Sequence, residues 1–292
     1  MAVTTSAPPR AHGSRALASP RRRTSRVAAN AALVVIGICF LAPLTWLVLS
    51  AVDPGATAQT RLPSEVSGEN LRAVLTTDIA LRPLTISFVL STLAAGVTVV
   101  AAVLASYPLS RYQMRFTKSF MYTVLFGTCL PVTAIMVPVF SLAVRTGTLD
   151  SIWATGLFMA ATSLPMAIWM TKNFMDSVPI SLEEAAWLDG ASAMTALRRI
   201  VVPLMRPGLA VVFIYVFMQA WGNFFVPFLL LRSPEKQPAA VTIYQFFGQY
   251  GAIHYGQLAA FSLLYSLPVI VLYLIVSRGI GGSFAMSGAV KG

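Results

Sequence analysis

Residues 181–203 read SLEEAAWLDGASAMTALRRIVVP. Ser181 and Glu184 have the spacing of a capping box, in which each side chain accepts from the other residue's backbone N–H, so we expect a helix to begin directly after the serine. Gly190 can adopt the left-handed conformation that ends a helix, and a second helical stretch should follow until Pro203 interrupts it. The sequence here predicts two short helices joined by a glycine turn.

The composition of the whole chain is that of a membrane protein. Of its 292 residues, 57% are hydrophobic and only 11% are charged, and the mean hydropathy is +0.74. Because a soluble domain has about 25% charged residues, a water-soluble fold is excluded and the lipid bilayer becomes a partner. The net charge of +11 does not indicate nucleic acid, since the positive residues lie in the N-terminal tail and in joints between apolar runs.

Six apolar runs are long enough to cross a bilayer, which takes about 20 helical residues. They lie at residues 28–52, 84–108, 119–143, 151–171, 208–231 and 258–278. We therefore expect an all-α membrane protein with six transmembrane helices. The expected organisation is a disordered basic tail at 1–27, a transmembrane domain at 28–281 that includes the loop 172–207, and a C-terminal tail at 282–292.

Orientation follows from the distribution of positive residues, which mark cytoplasmic segments. With the N-terminus inside, the cytoplasmic segments hold fifteen of the 21 Lys and Arg residues and the outer segments hold six. We expect a multi-pass protein with both termini and the loop 172–207 in the cytoplasm. A twin-arginine or secretory signal is the alternative for residues 21–23, but the apolar run behind them is too long for a signal and five more spans follow.

The stretch 181–203 resembles the cytoplasmic EAA loop of ABC importer permeases, whose consensus is E-A-A, three residues, G, nine residues and I-x-L-P. Val202 at the Leu position is the only departure. Segments at 105–112 (ASYPLSRY), 221–227 (WGNFFVP) and 288–292 (GAVKG) resemble carbohydrate permeases of the MalG-like family. Together the resemblances cover most of residues 84–292 and imply the MetI/MalG-like type I importer permease fold.

This resemblance implies one subunit of a heteromeric importer in the bacterial cell membrane. Its partners would be a second homologous permease subunit, two cytoplasmic ATP-binding subunits and an extracytoplasmic solute-binding protein, and its substrate a carbohydrate. ATP and Mg would be used by the ATPase subunits, with no cofactor bound by this chain. Residues 182–199 would couple ATPase closure to the opening of one membrane face. The coupling residues implied by the motif are Glu184, Ala185, Ala186, Asp189, Gly190, Ile200 and Pro203.

An enzyme is not expected. A P-loop needs Gly-Lys followed by Ser or Thr, and the one lysine that precedes a hydroxyl residue, Lys118, follows Thr117. His12 and His254 are the only histidines. The chain therefore lacks both a zinc-like cluster and a Ser/His/Asp triad.

The fifth span contains the candidate residues of the substrate path. Sugars are bound by aromatic faces and hydrogen-bonding groups, and polar groups in a membrane span are costly enough to indicate function. An alternative role is contact between helices, which amide and aromatic side chains also make. The candidates are Tyr215, Gln219, Trp221 and Asn223.

Three other functions stay open at this point. A permease with the same loop could carry a non-sugar solute. An intramembrane enzyme would need a nucleophile and a base on facing spans. An ion-coupled carrier would need ionisable residues at mid-membrane, and the six spans have no Asp or Glu near their centres.

Overall fold

The structure is a computed structural model that describes residues 20–63, 65–112, 114–129, 131–247 and 253–288, with side chains described between residues 29 and 278. The predicted tails at 1–19 and 289–292 lie outside this part of the chain. Contacts divide the chain into two units, Met1–Trp46 and Leu47–Gly292. The first unit contains the beginning of a single helix, and all other elements belong to the second.

Six helices form the N-terminal part of the described chain. A π-helical turn, Thr77–Leu81, leads directly into the third of them. Their bounds are α1 Pro20–Val52, α2 Glu69–Val74, α3 Arg82–Arg111, α4 Thr117–Gly127, α5 Val132–Arg145 and α6 Ile152–Asp176.

Seven helices follow in the C-terminal part of the described chain, six of them short and the last, α13, long. A π-helical turn, Leu197–Val201, joins the second of them to the third, and two 3-10 turns, Pro234–Lys236 and Ile243–Phe246, flank the sixth. The bounds are α7 Ser181–Leu188, α8 Ala193–Ala196, α9 Val202–Leu204, α10 Arg206–Trp221, α11 Phe225–Leu230, α12 Ala239–Thr242 and α13 Tyr255–Gly288.

The predicted membrane spans are present, but two of them are interrupted. Within the described residues four helices are long and apolar enough to cross a membrane, and up to six if each of two bent pairs counts as one span. The predicted span 119–143 is divided between α4 and α5, because the extended Pro131 precedes α5. The second bent pair is Ala193–Leu204 with Arg206–Trp221, so it covers only the first part of the predicted span 208–231. The rest of that span belongs to a separate helix, α11, where Asn223 Oδ1 accepts from the backbone N–H of Val226 at 3.1 Å.

Both ends of the transmembrane part are more helical than expected. Helix α1 begins at Pro20, within the segment 1–27 that the sequence predicts to be a tail. Helix α13 continues to Gly288, past the boundary predicted at residue 281. Glycine costs a helix about 1 kcal/mol relative to alanine, and Gly281 and Gly282 do not end this one.

Helix α3 packs closely against α6 along two hydrogen bonds. The Thr98 hydroxyl donates to the Ala160 carbonyl at 3.1 Å and the Ser106 hydroxyl to the Ile168 carbonyl at 3.1 Å. Small residues between the helices, such as the fully buried Ala102, let the backbones approach. This is the form of contact that joins helices in a membrane, where lipid competes for apolar surface but not for hydrogen bonds.

Aromatic rings join α10 to α13 where α10 ends. The Trp221 ring stacks on Phe217 at 5.6 Å between centroids and on Tyr265 of α13 at 5.3 Å. The Tyr265 hydroxyl donates to the Trp221 carbonyl at 2.7 Å. That carbonyl belongs to the last turn of α10 and has no partner within the helix, so α13 satisfies it.

The surface of the second unit is strongly apolar. Val137 of α5 is 74% exposed and Tyr273 of α13 is 68% exposed. Soluble monomers rarely leave large apolar areas uncovered. These side chains therefore indicate a surface that meets lipid or other membrane subunits.

The contact between α6 and α10 gives a test of the packing. A Cβ at Gly208 would lie 2.5 Å from Cγ of Phe174. We expect Gly208→Ala to force the helices apart and to destabilise the detergent-solubilised protein by about 1–3 kcal/mol, measured as a lower melting temperature. The matched control is Gly96→Ala in α3, where a Cβ meets no atom within 4 Å. Equal melting temperatures for both variants would contradict the close contact.

Candidate functional site

The glycine turn after α7 has the predicted conformation. Gly190 has a φ of +83°. Its N–H donates to the Trp187 carbonyl at 3.0 Å, and the Ala191 N–H donates to the Ala186 carbonyl at 2.9 Å. These two bonds form a Schellman motif, which satisfies the last carbonyls of the helix. This φ confirms the predicted left-handed glycine. Glycine suits the position because a residue with a Cβ would be strained there.

The capping box predicted for Ser181 and Glu184 is not formed. Helix α7 begins at Ser181 itself, and no side chain bonds its first N–H groups. The carbonyl of Ile180 accepts from the N–H groups of Glu183 at 2.9 Å and Glu184 at 3.0 Å, so a preceding turn already satisfies them. Because Ser181 lies inside this turn, it cannot take the extended conformation that a capping residue requires.

The second helix is capped as its sequence suggests but does not end where predicted. The Ser192 hydroxyl accepts from the N–H of Thr195 at 3.3 Å and so begins α8. Pro203 does not break the helix, because it follows the π-helical turn and is the second residue of α9, where a missing N–H is tolerated. The chain bends by 79° only after Leu204.

Helix α7 and its turn present an exposed surface, which we term the coupling surface. It combines acidic side chains with apolar ones: Leu188 is 90% exposed and Leu182 43% exposed. Three of the predicted coupling residues are half-buried, namely Ala186, Ile200 and Pro203. The predicted coupling residues that lie on this surface are Glu184, Ala185, Asp189 and Gly190.

Sequence reasoning missed the residue next to Glu184. Glu183 is fully buried. Its Oε1 lies 2.5 Å from Nε of Arg111, and its Oε2 accepts from the Tyr107 hydroxyl at 2.9 Å. Both partners come from the inner end of α3, in the segment 105–112 that also carries the family resemblance. This ion pair joins α7 to a transmembrane helix.

One signal in the sequence could have pointed to this pair. Tyr107 and Arg111 are four residues apart and therefore lie on the same face of a helix. If this face is buried among apolar residues, the positive charge of the arginine needs an acidic partner, and the tyrosine hydroxyl can donate to the same carboxylate. Consecutive glutamates at 183 and 184 point about 100° apart on a helix, so one can face α3 while the other faces outward.

A cavity of about 740 Å³ lies among α6, α10 and the break between α4 and α5. Three of the four predicted substrate-path residues line it, namely Tyr215, Gln219 and Asn223. The Gln219 amide donates to the Tyr215 hydroxyl at 3.4 Å. Hydroxyl side chains of α6 add Thr162 and Ser163, and no lining residue in the described chain is charged.

Trp221, the fourth predicted substrate-path residue, is not in this cavity. It is 3% exposed and packs among aromatic rings. Residues two apart on a helix point about 200° apart, so the face that brings Gln219 to the cavity carries Trp221 into the core. Its predicted contact with substrate is not supported by this position.

Asp150 lies just before α6, at the end opposite to Asp176, and the 25 residues of α6 extend over about 37 Å at a rise of 1.5 Å per residue. Asp150 has a φ of +65°. Its carboxylate accepts from the backbone N–H groups of Arg232 at 2.8 Å and Ser233 at 3.0 Å, and Nζ of Lys236 lies 2.8 Å away. The Lys236 ammonium and the Ser233 hydroxyl hold the pKa of this carboxyl well below its usual range.

The lowered pKa of Asp150 makes its contribution to stability depend on pH. We expect Asp150→Asn, which tolerates a positive φ, to melt at a lower temperature at pH 7 because the charged hydrogen bonds are lost. The stabilisation by the carboxylate is complete above about pH 3.9, the unfolded pKa, and is lost as the pH falls through the lower folded pKa. The difference in melting temperature between Asp150→Asn and the wild type should therefore become smaller as the pH falls into the acid range.

Asp78 provides the matched control for this prediction. Its ion pair with Arg82 is exposed, with 76% of the Asp78 side chain accessible, and such pairs contribute little. Asp78→Asn should leave the melting temperature nearly unchanged across the same pH range. If the difference in melting temperature between Asp150→Asn and the wild type stayed constant in acid, the role assigned to the Asp150 charge would be contradicted.

Residues 97–281 match the protein family described as binding-protein-dependent transport system inner membrane component, which is more than half of the chain. The chain belongs to this family. It is therefore a membrane transport component and not an enzyme in its own right. The matched region contains α7, the coupling surface, the cavity and the second half of α3.

Relatives match nearly the whole length of this permease. It is 28% identical over 279 residues to the maltodextrin transport system permease protein MdxG of Bacillus subtilis (strain 168), covering 94% of this chain and 99% of that protein. It is 29% identical over 262 residues to the trehalose transport system permease protein SugB of Mycobacterium tuberculosis (strain CDC 1551 / Oshkosh), covering 89% and 95%.

A solved structure shares the fold. The structure of a bacterial ABC transporter involved in the import of the acidic polysaccharide alginate aligns with a TM-score of 0.77 and 22% identity, over 89% of this chain and 98% of that chain. The predicted all-α importer permease fold is confirmed. The family match also sets aside the intramembrane enzyme and the ion-coupled carrier.

Proposed function

We propose that this permease forms part of the translocation path for an uncharged sugar or oligosaccharide in an ABC importer. The observation that carries the proposal is the cavity of about 740 Å³ beside α10. Its described lining offers hydroxyl, amide and phenol groups and no charge, which suits a neutral polyhydroxyl solute. The maltodextrin and trehalose permeases among its relatives support the same substrate class.

The proposed complex contains four further protein components. A second homologous permease subunit completes the path, two ATP-binding subunits supply the energy, one of them in contact with the coupling surface, and an extracytoplasmic solute-binding protein delivers the sugar. The ATP-binding subunits use ATP and Mg, and this chain binds no cofactor. The coupling surface supports the ATPase contact, because its exposed apolar side chains beside Glu184 and Asp189 suit a protein partner.

The proposed orientation places the coupling surface in the cytoplasm of a bacterial cell. Lys and Arg residues are more numerous on the α7 side of the spans, as the positive-inside rule requires. Both termini then lie in the cytoplasm. Asp150, at the other end of α6, lies on the outer face, where it holds residues 232–236 in place.

Substrate passage through the cavity can be tested at Gln219. We expect Gln219→Leu to raise the KM for transport up to about tenfold, because one hydrogen bond to the sugar contributes about 1 kcal/mol. The measurement is uptake of labelled trehalose and maltotriose by cells that carry the variant. Met218→Leu, an exposed neighbour on α10 outside the cavity, is the matched control. Uptake by Gln219→Leu equal to that by the control would show that the path lies elsewhere.

The coupling role can be tested in the purified complex. The chain should co-purify in mild detergent with a P-loop ATPase, a second permease and a solute-binding protein, identified by mass spectrometry. We expect Gly190→Pro and Glu184→Lys to insert and assemble but to lose substrate-dependent ATP hydrolysis. Proline cannot adopt a φ of +83°, and the lysine reverses a charge on the coupling surface.

Lys118→Glu serves as the control for the charge reversal. Lys118 is exposed at the start of α4, outside the coupling surface, and its variant should hydrolyse ATP normally. Normal ATP turnover in Gly190→Pro and Glu184→Lys, or purification of the chain without any ATPase, would defeat the proposed function.

A further inference from the structure

Glu183 is a buried charge whose two oxygens both have partners on α3. Its side chain and that of Arg111 are 0% and 5% exposed. One oxygen meets the guanidinium and the other meets the Tyr107 hydroxyl. Glu183 is more than 70 positions away from both Tyr107 and Arg111 in the chain, so only the folded structure brings it to them.

The guanidinium of Arg111 also holds the turn that begins α7. Its Nη2 donates to the Val178 carbonyl at 3.2 Å, and its Nη1 donates to the Ser110 hydroxyl at 3.1 Å. Val178 lies two residues before Ile180, whose carbonyl starts the helix. One rigid planar group therefore fixes both the first turn of α7 and its approach.

Such a cluster is better suited to positioning than to stability. Removing one partner of a buried ion pair leaves an uncompensated charge, whereas replacing both by apolar residues is often neutral. The pair therefore adds little net stability but strongly favours one arrangement of the two helices. Helix α3 is in turn held to the other membrane helices. The Thr98 and Ser106 hydroxyls bond α6, and the ring of Phe88 lies 5.9 Å from that of Phe217 in α10, measured between centroids.

We propose that Tyr107, Arg111 and Glu183 tie α7 to α3, so that the coupling helix and the transmembrane bundle move as one body when the ATPase subunits close. This inference rests on the proposed function and extends it. Glu184 faces the ATPase and contributes to the contact with it. Glu183 faces the bundle and transmits the movement of α7 to α3. Tyr107 and Arg111 are positioning residues that act through Glu183.

The experiment uses the complete importer in proteoliposomes. ATP hydrolysis is measured with and without the ligand-loaded solute-binding protein that co-purifies with the complex, used as isolated. We expect Glu183→Gln to keep basal hydrolysis but to lower its stimulation about tenfold or more, since a charged hydrogen bond is lost. Arg111→Lys keeps the charge without the planar fork and should lie between wild type and Arg111→Gln.

A second readout tests the rigid body directly and needs only ATP and vanadate. Spin labels are attached at the exposed Ser181 of α7 and at the exposed Val100 of α3, in a chain carrying Cys39→Ser and Cys129→Ser. In the wild type the distance between labels should stay constant when ATP and vanadate are added. In Glu183→Gln it should change or broaden, because α7 then moves without α3.

Two variants keep the test decisive. Tyr107→Phe removes one hydroxyl and no volume, so it reports on the tie even where Glu183→Gln fails to assemble. Asp78→Asn is the matched control, because its ion pair with Arg82 is exposed, with 76% of the Asp78 side chain accessible, and involves none of the groups bonded to Glu183 or Arg111. That control should keep normal stimulation.

The outcomes separate this inference from the proposed function. Wild-type stimulation and a constant label distance in Glu183→Gln and Tyr107→Phe would overturn the tie. If Glu184→Lys still uncouples hydrolysis in that case, the proposed function stands. Loss of stimulation in Glu183→Gln and partial rescue in Arg111→Lys, with Asp78→Asn unaffected, would support the tie.

Discussion

Polar groups inside a bilayer must find their hydrogen-bond partners within the protein, because no water is present there. The geometry of α3, α6, α10 and α13 follows from this constraint at several points. The Thr98 and Ser106 hydroxyls bond carbonyls of α6, and Tyr265 bonds the last carbonyl of α10. These bonds specify the register between helices, which apolar packing alone would leave less defined.

The same constraint explains why the interruption of α10 is tolerated. Helix ends expose backbone groups that would be costly in lipid. Here the freed carbonyl of Trp221 is covered by α13, and Asn223 caps the start of α11. A broken helix can therefore lie beside the cavity, which Gln219 and Asn223 line.

At the α7 end the constraint applies to a full charge. A buried carboxylate is stable only with a cation and further hydrogen bonds, and Arg111 and Tyr107 supply them. An exposed surface suited to a protein partner and a buried anchor on α3 thus meet in one helix of eight residues. The chain has the physical means to pass a force from the coupling surface to α3, the helix beside α6 and α10.

The amino-acid sequence determined the membrane class, the approximate spans and the glycine turn at 190. Each depends on local properties: hydropathy over about 20 residues, and a backbone conformation that glycine adopts most easily. Pro203 shows the limit of such rules, because a proline ends a helix only where its missing N–H and its ring cannot be accommodated. Here the π-helical turn Leu197–Val201 precedes Pro203 and places it in the first turn of α9, where a missing N–H is tolerated.

Only the tertiary structure decided which side chains meet. It turned Trp221 into the core and Gln219 toward the cavity, and it buried Glu183 while leaving Glu184 exposed. Helical periodicity predicts that such neighbours face different directions, but it does not predict which of the two side chains is buried against another helix. That depends on the position of α3, more than 70 residues earlier in the chain, and on the need of a buried charge for its partner.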